Sequence, residues 1–125
     1  MEENRLGEAI LGCALKVHKA PGPGLLENAY EACLGHELGK VGIAFERQVT
    51  LPLIYDSLII ESAYRLDLLV DKRVVVEVKA VDRLNDVHRA QLLSYLRIGG
   101  YRLGYLLNFN VAMIRDGIHR MANGL

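Results

Sequence analysis

The sequence predicts an α/β sandwich, a central mixed β-sheet flanked by helices. Three observations carry this expectation. Two segments near the N-terminus repeat apolar residues at helical spacing. A middle stretch alternates short, β-rich runs with turn signals. A third helical segment then precedes one further apolar run, which reads as a strand returning to the sheet.

Residues 4–19 form the first expected helix, with Leu6, Ile10, Cys13, Ala14 and Val17 on one stripe. Pro21-Gly22-Pro23-Gly24 breaks it and opens a second, over residues 25–41, whose stripe is Leu26, Tyr30, Leu34, Leu38 and Val41. Gly39 and Gly42 bracket its end. Residues 43–50 read as a strand, and 51–55 with 58–62 as a hairpin around Asp56-Ser57. Residues 64–70 and 74–79 are strands joined by the tight turn Asp71-Lys72-Arg73. Asn85 or Asp86 caps a third helix, which runs to about residue 98 and stops at Gly99-Gly100. An apolar strand over 101–108 follows, and Asp116-Gly117 introduces a last short strand over 117–121.

A chain of 125 residues that is 51% hydrophobic suits one domain, spanning residues 1–125, around a single two-layer core. The acidic start, Met-Glu-Glu-Asn, is unlike a signal peptide, and polar residues interrupt every apolar run well short of a ~20-residue membrane span. A soluble, cytoplasmic protein without a membrane partner is expected. Cys13 and Cys33 sit in helical apolar patterns without a Cys or His at ligand spacing, so both are expected as buried free thiols. Formal net charge is zero, which removes the simplest argument for nucleic-acid binding. The charge is uneven, however: residues 1–60 hold 5 Lys/Arg against 8 Asp/Glu, and residues 61–125 hold 10 against 7.

The turn at 71–73 fixes a register. If Val70 faces Val74, counting back sets Asp67 opposite Glu77 and Arg65 opposite Lys79. Tyr64, Leu66, Leu68 and Val70 then share the other face with Val74, Val76 and Val78. Carboxylates directly opposed across two strands repel, their Cβ atoms only ~5 Å apart. A divalent cation with a preference for hard oxygen ligands, Mg²⁺ or Mn²⁺, removes that repulsion. The Val78 carbonyl is a candidate further ligand, and Lys79 could bind an attacking water and offset charge on a pentavalent phosphorus. A surface salt-bridge ladder of Arg65, Asp67, Glu77 and Lys79 would give the same pattern.

Glu27, at the start of the second helix and sharing a face with Tyr30, is either a favourable charge at a helix N-terminus or a third acidic metal ligand. His88, Gln91 and Tyr95 form one polar stripe on the third helix, beside Leu92, Leu93 and Leu96. That stripe alone is also what the wet edge of an amphipathic helix looks like.

Together these residues resemble a known family. Asp67, followed after nine residues by Glu77-Val78-Lys79, resembles the PD-(D/E)xK nuclease signature, with Leu66 where the motif's proline stands. Gly24-Leu25-Leu26-Glu27-Asn28-Ala29-Tyr30 matches the GxxExxY motif, which names a family of small proteins in that superfamily. The run from His88 to Arg97 and the later Leu107-Asn108-Phe109-Asn110 are also typical of it, so the resemblance spans about residues 5–122. It implies a restriction-endonuclease-like fold, metal binding by Glu27, Asp67 and Glu77, and a catalytic role for Lys79. Gln91 and Tyr95 match a QxxxY motif that helps to position nucleic acid, while His88 would at most touch phosphate. The expectation is a Mg²⁺-dependent (or Mn²⁺-dependent) nuclease acting on nucleic acid, DNA before RNA. The alternative is a catalytically silent nucleic-acid-binding or assembly module of the same fold. A homodimer through helix one or the apolar strand ending at Phe109 would allow two-ended cutting.

Overall fold

The computed structural model describes residues 2–125. Its elements are α1 (Glu3–Lys19), α2 (Glu27–Lys40), β1 (Phe45–Tyr55), β2 (Leu58–Val70), β3 (Val74–Lys79), α3 (Asp86–Gly99), β4 (Leu103–Asn108), a 3-10 turn (Ile114–Gly117) and β5 (Ile118–Ala122). The strands form one sheet in sequence order, antiparallel except for the parallel pair β3–β4 that α3 connects. The expected α/β architecture with a mixed sheet is therefore present.

Each helix has a local cause. In α1 the buried stripe is Leu6, Ile10, Cys13, Ala14 and Val17, and the Glu2 side chain caps it by accepting the Arg5 amide at 2.9 Å. Asn85 caps α3 in a reciprocal box: its Oδ1 accepts the His88 amide, and His88 Nδ1 accepts the Asn85 amide. Gly100 ends that helix in the left-handed region, at φ 72°.

The sheet is covered on both faces, so the two-layer expectation gives way to three layers. One core joins α1 and α2 to Leu68, Val70, Val74, Val76, Val78, Leu103, Tyr105, Leu107 and Phe109. The other lies under α3, where Leu92, Tyr95 and Leu96 meet Leu51, Leu66, Leu69, Val75 and Leu106. Double coverage explains why residues 74–78 are buried without interruption.

Several boundaries differ from the sequence reading. The strand at 43–50 and the first arm of the 51–62 hairpin are one continuous β1, and the second arm continues into β2. Pro52 sits where the register shifts between Leu51 and Leu53, a defect that an edge strand tolerates. Leu26 and Val41 flank α2 as its caps and are exposed, outside the core stripe. Cys13 is buried but Cys33 is exposed, because it lies one position off the Tyr30–Leu34–Leu38 stripe. The expected face Tyr64, Leu66, Leu68, Val70 is split: Leu66 and Tyr64 pack on the α3 side, and Leu68 and Val70 on the other. Strand β4 is buried throughout between β3 and β5, so it offers a second copy no free face. Among the described residues no helix is long and apolar enough to cross a membrane.

Candidate functional site

The break in alternation marks the site. Strands β2 and β3 pair regularly from Val70–Val74 to Leu68–Val76, where the regular pairing stops. At the next position two carboxylates take over. The Asp67 amide donates to Glu77 Oε2 at 2.8 Å, and the Val78 amide donates to Asp67 Oδ2, also at 2.8 Å. On the other flank, β1 pairs Arg47 with Leu68 and Val49 with Leu66, leaving out Gln48 and Asp67. Gln48 has φ 55°, a left-handed conformation unfavourable for a side-chain-bearing residue. The ladder is interrupted there without a change of register, with Asp67 opposite the break.

Asp67 and Glu77 thus meet across two strands, as the turn at 71–73 requires. That turn closes through an Arg73 amide to Val70 carbonyl bond, with Asp71 and Lys72 at φ 50° and 57°. The expected opposition of Arg65 and Lys79 is not formed, because the pairing of β2 with β3 ends at Leu68–Val76. Among the described residues no ion pair links Arg65, Asp67, Glu77 and Lys79, so the salt-bridge ladder is not what the charges build.

Electrostatically the pair is short of positive charge. Burial, then the neighbouring Asp67 carboxylate, pushes Glu77 up to about 8; the Asp67 amide and Lys79 oppose the rise. Asp67 is also raised, by burial first, with the Val78 amide and Lys79 acting against it and Glu31 and Glu27 adding to it. Lys79 is half-buried at the end of β3. Its backbone is fixed by the Phe109 amide, and the segment after it by Asn108, whose side chain bonds both the amide and the carbonyl of Val81. Gly117 packs against the Asn108 carbonyl with no room for a Cβ.

The other expected residues occupy graded positions. Tyr95 is buried against Tyr64 in an edge-to-face pair, and its hydroxyl is raised by burial and by the charges of Glu77 and Asp67. Gln91 is exposed one helical turn before it. His88 is occupied as the cap partner of Asn85. Glu27 is exposed in the first turn of α2 and acts on Asp67 as a nearby charge. Its motif partner Tyr30 is fully buried, stacked on Phe109 at 4.6 Å. The Tyr30 hydroxyl accepts from the Leu25 amide and donates to the Gly22 carbonyl, while Gly24 takes φ 108°. The glycine and tyrosine of that motif therefore shape the loop that presents Glu27.

Sequence reading missed Glu31. It is buried, its carboxylate held by Arg47 (2.8 Å) and Gln48 (2.7 Å), and its charge raises both Asp67 and Glu77. Its position one turn after Glu27 was the available signal.

The donor set suits a hard divalent cation. Each carboxylate commits one oxygen to a backbone amide, and among the described residues neither has a basic partner in an ion pair. The amide and carbonyl of one strand residue point to the same side, so the Val78 carbonyl faces the gap that its amide faces. Among the described residues no three Asp, Glu, His or Cys side chains converge on one metal position. Glu27 and Glu31 act on Asp67 as nearby charges, and water or phosphate oxygens would complete the coordination. A family model described as the PD-(D/E)XK nuclease superfamily matches residues 4–121. No curated protein and no solved structure matches the chain.

Proposed function

Because the chain belongs to the PD-(D/E)XK nuclease superfamily, we propose that it hydrolyses phosphodiester bonds of nucleic acid, DNA in preference to RNA, with Mg²⁺ or Mn²⁺. The observation that carries this is the pair Asp67–Glu77, set into the sheet in place of ladder hydrogen bonds and short of positive charge. In this reading Asp67, Glu77 and the Val78 carbonyl hold the ion, and Glu27 supports it from the rim. When bound, the ion supplies Lewis acidity toward the scissile phosphate. Lys79 holds the attacking water in line and offsets the charge that develops on phosphorus. Tyr95 and Gln91, on one face of α3, steady the nucleic acid beside the carboxylates. The free thiols Cys13 and Cys33 suit a reducing, cytoplasmic setting.

Purified protein with Mg²⁺ or Mn²⁺ is expected to nick or digest DNA, and Asp67→Ala or Lys79→Ala to reduce the rate by at least about a hundredfold. Equal rates in wild type and both variants would assign the activity to a contaminant and sink the proposal. Calorimetric titration of Mn²⁺ tests the ion site separately: heat that is present in the wild type and absent in Asp67→Ala is expected. No heat in either would favour a silent binding module.

A further inference from the structure

Strands β3 and β4 end level with each other, Lys79 opposite Asn108, and the next residue is Phe109. Phe109 is fully buried in the core under α1 and α2, and its two parts make separate contacts. Its amide donates to the Lys79 carbonyl at 2.9 Å. Its ring is stacked on that of Tyr30, with 4.6 Å between centroids and 8° between planes, a separation that aromatic pairs favour. The ring of His18 is tilted to it at 6.5 Å, and His18 Nε2 donates to the Val111 carbonyl at 2.7 Å. The segment after Phe109 is thereby tied to α1.

Tyr30 carries the constraint further. Its hydroxyl accepts from the Leu25 amide and donates to the Gly22 carbonyl, and Glu27 opens α2 two residues after Leu25. Direct contacts therefore run from the Lys79 carbonyl through Phe109 and Tyr30 to the loop that presents Glu27. The two ends of this path belong to different layers. Val78 packs under α1 and α2, so alternation turns Lys79 toward α3, whereas Glu27 belongs to α2. Both charges reach Asp67, which Lys79 lowers and Glu27 raises. Resting on the nuclease reading, we propose that Phe109 is a positioning residue, whose ring holds Glu27 in place relative to Lys79 and the Asp67–Glu77 pair. It touches neither substrate nor ion. Its amide bond to Lys79 is main chain and survives a change of side chain, so the ring acts through Tyr30. Leu at this position would fill the core without the stack and let the loop shift, and displacements of about 1 Å can cost about a hundredfold in rate.

With the full chain, Mg²⁺ and DNA, Phe109→Leu should lower kcat about ten- to a hundredfold and change KM by less than about threefold. Gln91 and Tyr95, which steady the nucleic acid in that reading, lie on α3, outside this path. A residue needed only for folding would multiply its loss with any other. Glu27→Gln with Phe109→Leu should instead be no slower than the slower single variant, within about twofold, while Gln91→Ala with Phe109→Leu should multiply. Amide hydrogen exchange is a second readout that needs no activity. In Phe109→Leu the Leu25 amide should lose at least about tenfold more protection than the amides of β4, which open only with the whole fold. If both double variants multiply in a protein that cleaves, or if Leu25 follows β4, Phe109 is a core residue only and the inference is overturned. A wild type that neither cleaves DNA nor binds Mn²⁺ is a different failure, which removes the nuclease reading and with it the site that Phe109 would position.

Discussion

A carboxyl group buried beside another carboxyl group keeps its proton to higher pH than it would in water, and Glu77, held up to about 8 by burial and by Asp67, is in that position. In the unfolded chain the same group titrates near 4.5. Between these values the folded protein holds a proton that the unfolded chain has lost. The stabilisation is complete below about 4.5 and is lost as pH rises through about 8. Asp67, raised as well, acts in the same direction. Thermal unfolding of the metal-free protein across this window should show the decline, and Glu77→Gln should flatten it. A slope unchanged in the variant would rule out the buried pair as its source. Glu31 tests the surroundings. Glu31→Ala removes the shared acceptor of Arg47 and Gln48, exposed residues whose donors can turn to water, a loss of about 0.5–1.5 kcal/mol in urea unfolding. It also removes a charge that raises Glu77, so the decline with pH should begin at the same pH but end lower. The meeting of Asp67 and Glu77 across β2 and β3 was legible in the sequence because one three-residue turn fixes their relation. Glu31 was not, since its partners lie 16 and 17 residues away across a kink that no local pattern announces.

At the scale of elements, the loop before α2 shows how one aromatic residue orders a segment rich in proline and glycine. Tyr30 ties that loop to its own helix through the Leu25 amide and the Gly22 carbonyl. Tyr30→Phe keeps the stacking on Phe109 but leaves both backbone groups without this partner. It should cost about 1–3 kcal/mol, read from the urea midpoint. An unchanged midpoint would mean that the loop is held by other contacts. The helices themselves were legible, since their stripes repeat every three to four residues and α3 carries both a capping residue and a terminal glycine. The strands were legible in kind but not in extent. The sequence reading ends one strand at residue 50 and begins a hairpin arm at 51, yet β1 is continuous there and runs on through Pro52, which costs only one donor at a sheet edge. The split of Leu66 from Leu68 was hidden for a related reason. Strict alternation assumes an unbroken ladder, and the ladder is interrupted at Gln48 and Asp67.

The molecule as a whole is a five-stranded sheet with helices on both faces, and its two cores meet across β3. The sequence named the layers but not their number, because an uninterrupted run of valines fits a strand covered on one side or on both. Across this sheet runs one seam, between β2 and β3, where main-chain donors are bonded by ionisable side chains and not by carbonyls. The amide protons of Asp67 and Val78 therefore act as reporters built into the backbone. In a ¹H–¹⁵N nuclear magnetic resonance spectrum their shifts should follow the charge of the carboxylates across the strand gap, moving together as Glu77 titrates and again when Mg²⁺ is added. Amides in the regular part of the same hairpin, such as those of Leu69 and Val75, should stay nearly still. Such a pattern would register occupancy of the site directly from the sheet, before any substrate is known.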